Sequence, residues 1–519
     1  MLLFLLLMPI AFSVCFSRLY NQDIYQFFTA PNCDDEAYFD HLNVWFGDHI
    51  YSAVSSPRCH VPKNWRGIGS AVFWSPGYLF FKTTGSLLKP SLGMEAMDKD
   101  QWLRLGAATS NFFIASAILA LVLAILQSYI SPLTSIFFSF IIVFGGILPY
   151  YLFRRPLMSH AAETLFFFLA AYGIEKMKKA PDCTWAYVLV GLASAGILTT
   201  RFQDLPIVAI LLAILIWDHK RQGRSLLMLV SVFLASLIPQ LIINHVNMGS
   251  WILHPSEAVS FLTPVFLIEV GFVQLSRLCH VFFGGDWGLF WMFPWLFFSF
   301  FISWERIFTL WPVSSAWIIA PLSSLLVEAN WMGHGGSYAH RYIILLVFDM
   351  GILAAIGFEN LLEKAKRFKI LLYAMLALLF LISLTHFVAF ESNEHGLTLI
   401  LAPVAEEGSV RTEWTSAHTK DWVNGQFSRN VYKLFLHPKE LVRCFGAAPL
   451  PLYVSVKLAQ LRHQELSPAI EQYVDKHHID FRSYWKYMGA VMAGNIFLFL
   501  LFFSAREVFG RGETTCHLD

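Results

Sequence analysis

The sequence predicts an all-α integral membrane protein, a bundle of about twelve transmembrane helices with long outer loops. Of its 519 residues 56% are hydrophobic and only 14% charged, whereas a soluble domain carries roughly 25% charge. Apolar runs of about 17 to 25 residues, the length that crosses hydrocarbon, recur along most of the chain. The distribution of Lys and Arg then orders those runs into one topology.

The runs lie near residues 1–17, 106–126, 132–152, 160–175, 185–200, 204–217, 225–243, 287–303, 308–328, 342–358, 370–389 and 486–504. The first has no basic residues ahead of it and Val14 before Cys15, so it reads as a helix rather than a cleaved leader. The run at 204–217 contains Pro206, and several others are short, which leaves the count open by one or two. GIGSAVFWSPGYLFFKTTG, residues 67–85, is too interrupted by Gly and Pro for a span and reads as an interfacial or re-entrant segment. From about 391 to 485 the chain turns polar, with short helices expected at LAQLRHQ and SPAIEQYVDKHH, the latter opened by Ser467 and Pro468. The expected organisation is a membrane module over 1–390, an extracytoplasmic helical segment over 391–485, and a last helix with a cytoplasmic tail over 486–519.

With a cytoplasmic N-terminus, the basic clusters EKMKKAPDC, WDHKRQGR, SWER, EKAKRFK and REVFGRGE all fall inside. The outer side then receives the loop from about 18 to 105, the turns FRRPLMSH and TTRFQDL, the loop 244–286, the turn WMGHGGSYAHR and the segment 391–485. A net charge of +1 points away from nucleic acid, which calls for a strongly basic surface. The chain has no GxxxxGK[ST] phosphate loop.

The outer turns break the positive-inside rule selectively. They carry Arg154, Arg155, His160 and Glu163; Arg201, Gln203 and Asp204; Asp286; and His334, His340 and Arg341. The long first loop adds the run Asp34, Asp35 and Glu36. Ionisable groups at the membrane boundary are costly, so they pair, snorkel or line a cavity. One such residue is ordinarily structural; several turns on one side, with three carboxylates, point to a shared polar site. Arginine matches phosphate oxygens with paired donors, and a carboxylate can take a proton from an attacking hydroxyl or amine. That pairing suits group transfer from a membrane-carried phosphate donor.

The sequence also resembles the GT-C membrane glycosyltransferases, which include protein O-mannosyltransferases and the aminoarabinose transferase acting on lipid A. The resemblance rests on DEAYF at 35–39 after a first helix, then GIGSAVFWSPGYLFF, LPYYLFRRPLMSHAAETLFFFLAAY, ILTTRFQD, FFGGDWGLFWMFPWL and WMGHGGSYAHRYIILL, in that order over roughly residues 1–360. It implies a bacterial inner-membrane enzyme that moves one sugar from a polyprenyl-phosphate donor to a glycan, lipid or protein acceptor, with inversion. It implies Asp35 as the catalytic base with Glu36 beside it; the register also admits Asp34 with Asp35. Asp34 equally suits the N-cap of a helix starting at Asp35. Arg201 and Arg341, then His340, Arg155 and His160, are the implied donor-phosphate ligands.

No cofactor is called for, and a divalent metal stays open: Asp34, Asp35, Glu36, Asp40, His41, Asp48, His49 and His60 offer ligands without a diagnostic spacing. Cys33 and Cys59 share the outer loop, where a disulfide could form. A transporter or lipid flippase is the competing class, although the chain shows no internal repeat of the kind transporters carry. An oligosaccharide ligase or polymerase is the third.

Overall fold

The computed structural model describes residues 33–47, 54–56, 59–61, 66–92, 99–251, 288–303, 315–323 and 343–394, with scattered residues between and beyond them. The runs expected at 1–17 and 486–504, most of 391–485, and the turn holding His340 and Arg341 lie outside the described residues.

The described chain is helical apart from one short antiparallel hairpin, Val54–Ser56 paired with Cys59–Val61. In order the main helices are α1 (Cys33–Phe46), α2 (Gly69–Leu92), α3 (Lys99–Leu126), α4 (Pro132–Phe144), α5 (His160–Lys179), α6 (Thr184–Thr200), α7 (Leu205–Asp218), α8 (Gly223–Met248), α9 (Ile344–Lys364) and α10 (Lys369–Glu394). Among the described residues, four helices are long and apolar enough to cross a membrane: Lys99–Leu126, Gly223–Asn247, Ile344–Lys364 and Lys366–Phe387. Outward-facing Leu227, Leu234, Ile238, Ile242 and Val246 make α8 apolar where it is exposed, as a lipid-facing helix requires. The chain is therefore a membrane protein.

Several expected spans are broken. Residues 132–152 do not form one helix: α4 stops at Phe144 before Gly145 and Gly146, and a single π turn, Tyr150–Arg154, follows. Residues 287–303 form one α turn, Leu289–Met292, and a 3-10 segment, Pro294–Phe301, because Pro294 has no N–H to continue the ladder. In 308–328 the described residues make the short turns Ser315–Ile319 and Ala320–Ser323. Pro206 opens α7 rather than interrupting it.

In the first outer loop the Gly- and Pro-bearing stretch is helical. Gly69–Leu92 is one continuous helix running through Pro76 and Pro90, and it is not among the helices long and apolar enough to cross a membrane. Pro76 removes one ladder bond, while Ser75 Oγ donates to the Ala71 carbonyl at 2.7 Å. Packing against α3 supplies the rest: Trp74 Nε1 donates to Asn111 Oδ1 at 3.1 Å, and Trp102 Nε1 donates to the Phe81 carbonyl at 2.7 Å. Close approach is possible because Gly77 faces Gly106; a Cβ on Gly77 would sit 2.2 Å from the Gly106 carbonyl oxygen. Small residues at helix crossings are how membrane helices gain van der Waals contact, since lipid already solvates apolar side chains.

Contacts sort the turns into two ends. At one end Lys179 Nζ donates to Ser128 Oγ at 2.9 Å, Ser131 Oγ donates to Glu359 at 3.1 Å, and Arg306 pairs with Glu363 at 3.0 Å. These contacts join the α4 entry, the α5 exit, residues 303–306 and the α9 exit. At the other end Ile68 N–H donates to Gln240 Oε1 at 2.9 Å, and Gly67 packs on the Thr199 and Thr200 carbonyls. The sequence grouping of basic turns against Arg155- and Arg201-bearing turns thus reappears as two ends of one bundle.

Candidate functional site

The acidic run lies in the first turn of α1, which starts at Cys33. Asp34 is therefore inside the helix and not its N-cap, and its side chain lies outside the described residues. Successive helix positions differ by about 100°, so adjacent carboxylates face different partners. Asp35 is fully buried, and its Oδ2 accepts from Arg155 Nη1 at 3.2 Å. Glu36 Oε2 accepts from Arg104 Nη2 at 2.6 Å, and Arg104 Nε donates to Asp100 at 2.6 Å. The Arg104 guanidinium also stands 4.5 Å from the Phe39 ring centroid.

Arg155 owes its position to the π turn. The extra residue in Tyr150–Arg154 turns the backbone out of the α5 approach, and Asn111 Nδ2 pins the next residue through the Pro156 carbonyl at 2.7 Å. Its side chain remains 24% exposed over a carboxylate that is wholly covered. Arg155 is thus the solvent-facing member of the pair.

A second cluster sits where α5 begins and α6 ends. Arg201 Nη1 is 2.9 Å from Glu163 Oε2 and 2.9 Å from His160 Nδ1, and Nη2 donates to Gln203 Oε1 at 2.7 Å. His160 Nδ1 is also 3.1 Å from Glu163 Oε2. The tautomer that lets Arg201 donate to both groups leaves Nδ1 accepting and the proton on Nε2. Tyr151 lies 4.0 Å from the His160 ring, centroid to centroid. Burial opposes the Arg201 charge, but Glu163, Asp204 and Tyr38 together outweigh it and hold the guanidinium above its ordinary value. In the same turn, burial and then the Glu163 charge push Asp204 well above the usual carboxylate range. Glu163 and Arg201 form the ion pair of this cluster, and Asp204 is buried in the same turn.

Of the residues singled out in the sequence, Asp35 meets Arg155 and His160 meets Arg201, while Glu36 meets Arg104. Arg341 and His340 lie outside the described residues. Arg104 was missed because it sits in what reads as the approach to an apolar helix; its i,i+4 spacing from Asp100 was the available signal. Glu163 and Asp204 were visible as turn residues but not as the counter-charges of Arg201. Among the described residues, no group of three or more His, Cys, Asp or Glu side chains could hold a metal ion. His41 is buried, with Nε2 3.1 Å from the Arg66 carbonyl, and serves to seat α1. The Cys33 and Cys59 side chains lie outside the described residues.

The arrangement offers a carboxylate under an arginine that faces solvent, beside a buried Arg–His–Glu cluster, at one end of a membrane bundle. No family model, curated protein or solved structure matches the chain.

Proposed function

We propose that the chain is a GT-C-type membrane glycosyltransferase, which moves one sugar from a polyprenyl-phosphate donor to an acceptor on its outer side. The observation that carries this reading is the gathering of Asp35 with Arg155, Glu36 with Arg104, and Arg201 with His160 at the end of the bundle away from the basic turns. A polyprenyl phosphate presents its charge at that depth, with its tail in lipid.

In the proposed reaction the Asp35 carboxylate takes the proton from the acceptor hydroxyl or amine. The acceptor heteroatom bonds to the anomeric carbon as the bond to the phosphate oxygen breaks, which inverts that centre. Arg201, with His160, Arg341 and His340, balances the charge on the departing polyprenyl phosphate. Arg155 covers Asp35 before substrate arrives and moves its guanidinium toward the donor phosphate when the acceptor takes its place. The sugar, the acceptor and a bacterial inner-membrane location follow the resemblance of the motifs.

A transporter or flippase is the second reading, and Asp349 favours it. This carboxyl is 1% exposed within the Ile344–Lys364 span, and its Oδ1 has no hydrogen-bond partner among the described residues. Ionisable groups at membrane depth often line transport paths. A panel of labelled polyprenyl-phosphate sugars given to the protein in vesicles separates the two. A transferase releases polyprenyl phosphate only when membrane extract supplies acceptor; a flippase moves intact donor between leaflets and releases none.

A further inference from the structure

The end opposite Asp35 carries a polar surface that sugar transfer does not use. Tyr187, in the first turn of α6, ties two turns into one unit. Its phenol oxygen lies 3.0 Å from the Pro181 carbonyl, to which it can donate, and 3.1 Å from His219 Nδ1, from which it can accept. It also reaches Gln222 Oε1. The α5–α6 and α7–α8 turns are thereby held together, and between them they present Lys176, Lys178, Lys179, Lys220, Arg221 and Arg224.

Among the described residues, few acids lie on these two turns. Glu175 is buried and accepts from Trp317 Nε1 at 2.9 Å, which leaves exposed Asp182 and half-buried Asp218. Three of the lysines stand over aromatic rings: Lys176 over Tyr172 at 5.5 Å, Lys178 over Tyr129 at 5.5 Å, and Lys220 over Trp217 at 5.0 Å. Such rings restrict a side chain that would otherwise lose rotamer freedom on binding. Trp217 is 73% exposed, and beside it α8 begins with outward-facing Leu227 and Met228.

We propose that this platform binds the headgroup of an anionic phospholipid, with the acyl chains lying along the exposed face of α8. Ammonium and guanidinium groups meet the phosphodiester, the exposed indole sits at the headgroup level, and the apolar helix face continues directly from the basic surface. That continuity selects a lipid over a soluble phosphate, which has no use for the α8 face. The proposal stands apart from the transfer reaction.

Native mass spectrometry of the full-length protein, purified in mild detergent from vesicles of mixed phosphatidylglycerol and phosphatidylcholine, reads the bound lipid directly. The wild type retains phosphatidylglycerol over phosphatidylcholine. Each removed charge costs about fivefold in retention, so Lys179→Gln with Lys220→Gln and Arg221→Gln loses well over tenfold, whereas Lys179→Arg with Lys220→Arg retains the lipid. Tyr187→Phe lowers retention with no change of charge, because the two turns separate. Lys366→Gln with Arg367→Gln and Lys369→Gln, on the other basic turn, leaves retention unchanged. Equal retention of the two lipids, equal loss in that second triple variant, or displacement of the lipid by millimolar inorganic phosphate would each overturn the proposal.

Discussion

Asp35 and Glu36 are neighbours in sequence that meet different arginines, and that separation gives each a different environment. The same logic governs Glu163 and Asp204, two carboxyls around one Arg201. Removing the Glu163 charge strands a buried guanidinium, so Glu163→Gln should destabilise by about 3 kcal/mol. Asp204, whose pKa is raised in the folded chain, costs the wild type stability progressively as pH rises above its unfolded value of about 4. Asp204→Asn, which has no proton to hold, should match the wild type most nearly at pH 4 and melt above it, relative to that match, at pH 7 in detergent. Melting curves at both pH values check both variants. His41 works in the opposite direction: burial lowers its pKa to about 4. The unfolded chain binds a proton near pH 6.5 that the folded chain refuses, so stability falls as pH drops from about 6.5 to 4, by about 3 kcal/mol in all. His41→Gln should flatten that dependence, measured as melting temperature against pH. Arg155, His160 and Arg201 were legible because each stands at a short turn on the side that ought to lack arginine, and Asp35 because it belongs to an acidic run in the long loop on that side. Arg104 was not, because its partners come from Asp100 on its own helix and from Glu36, 68 residues away.

Elements were read well where periodicity is uniform and badly where one residue redirects the chain. The apolar runs that became α3, α5, α6, α8, α9 and α10 have no proline outside α8 and few internal glycines, and their centres were found within a few residues. Pro76 and Gly77 read as punctuation, yet in the folded chain Gly77 is the crossing point with α3 and the helix continues. The π turn at Tyr150–Arg154 has no sequence signature of its own; Gly145 and Gly146 ended the helix before it. A side chain at Gly77 must push the Gly106 backbone away. Gly77→Leu should therefore cost about 1 to 3 kcal/mol, seen as a lower melting temperature. Ser75→Ala, two residues away, should change it by less than about 1 kcal/mol.

At the scale of the molecule, the bundle has two unlike ends: one with paired carboxylates and arginines, one with lysines over aromatic rings. Charge distribution along the sequence revealed that polarity, while the number of spans was less legible because Pro294 and the Gly145–Gly146 pair interrupt runs that composition alone reads as continuous. With the native cysteines replaced, Ser91→Cys at the α2 terminus should react with an impermeant maleimide from outside intact cells. Asp182→Cys, on the α5–α6 turn, should react only after permeabilisation. Labelling of both from the same side would remove the two-ended arrangement.

The central claim is that Asp35 drives sugar transfer. The direct measurement compares wild type and Asp35→Asn, in membranes supplied with acceptor extract, for release of polyprenyl phosphate from a labelled polyprenyl-phosphate sugar and for retention of the intact donor. The account predicts release by the wild type, a fall of at least about a hundredfold in the variant on the scale of a lost general base, and unchanged donor retention. Full activity in Asp35→Asn, or no release from any donor by the wild type, would contradict it.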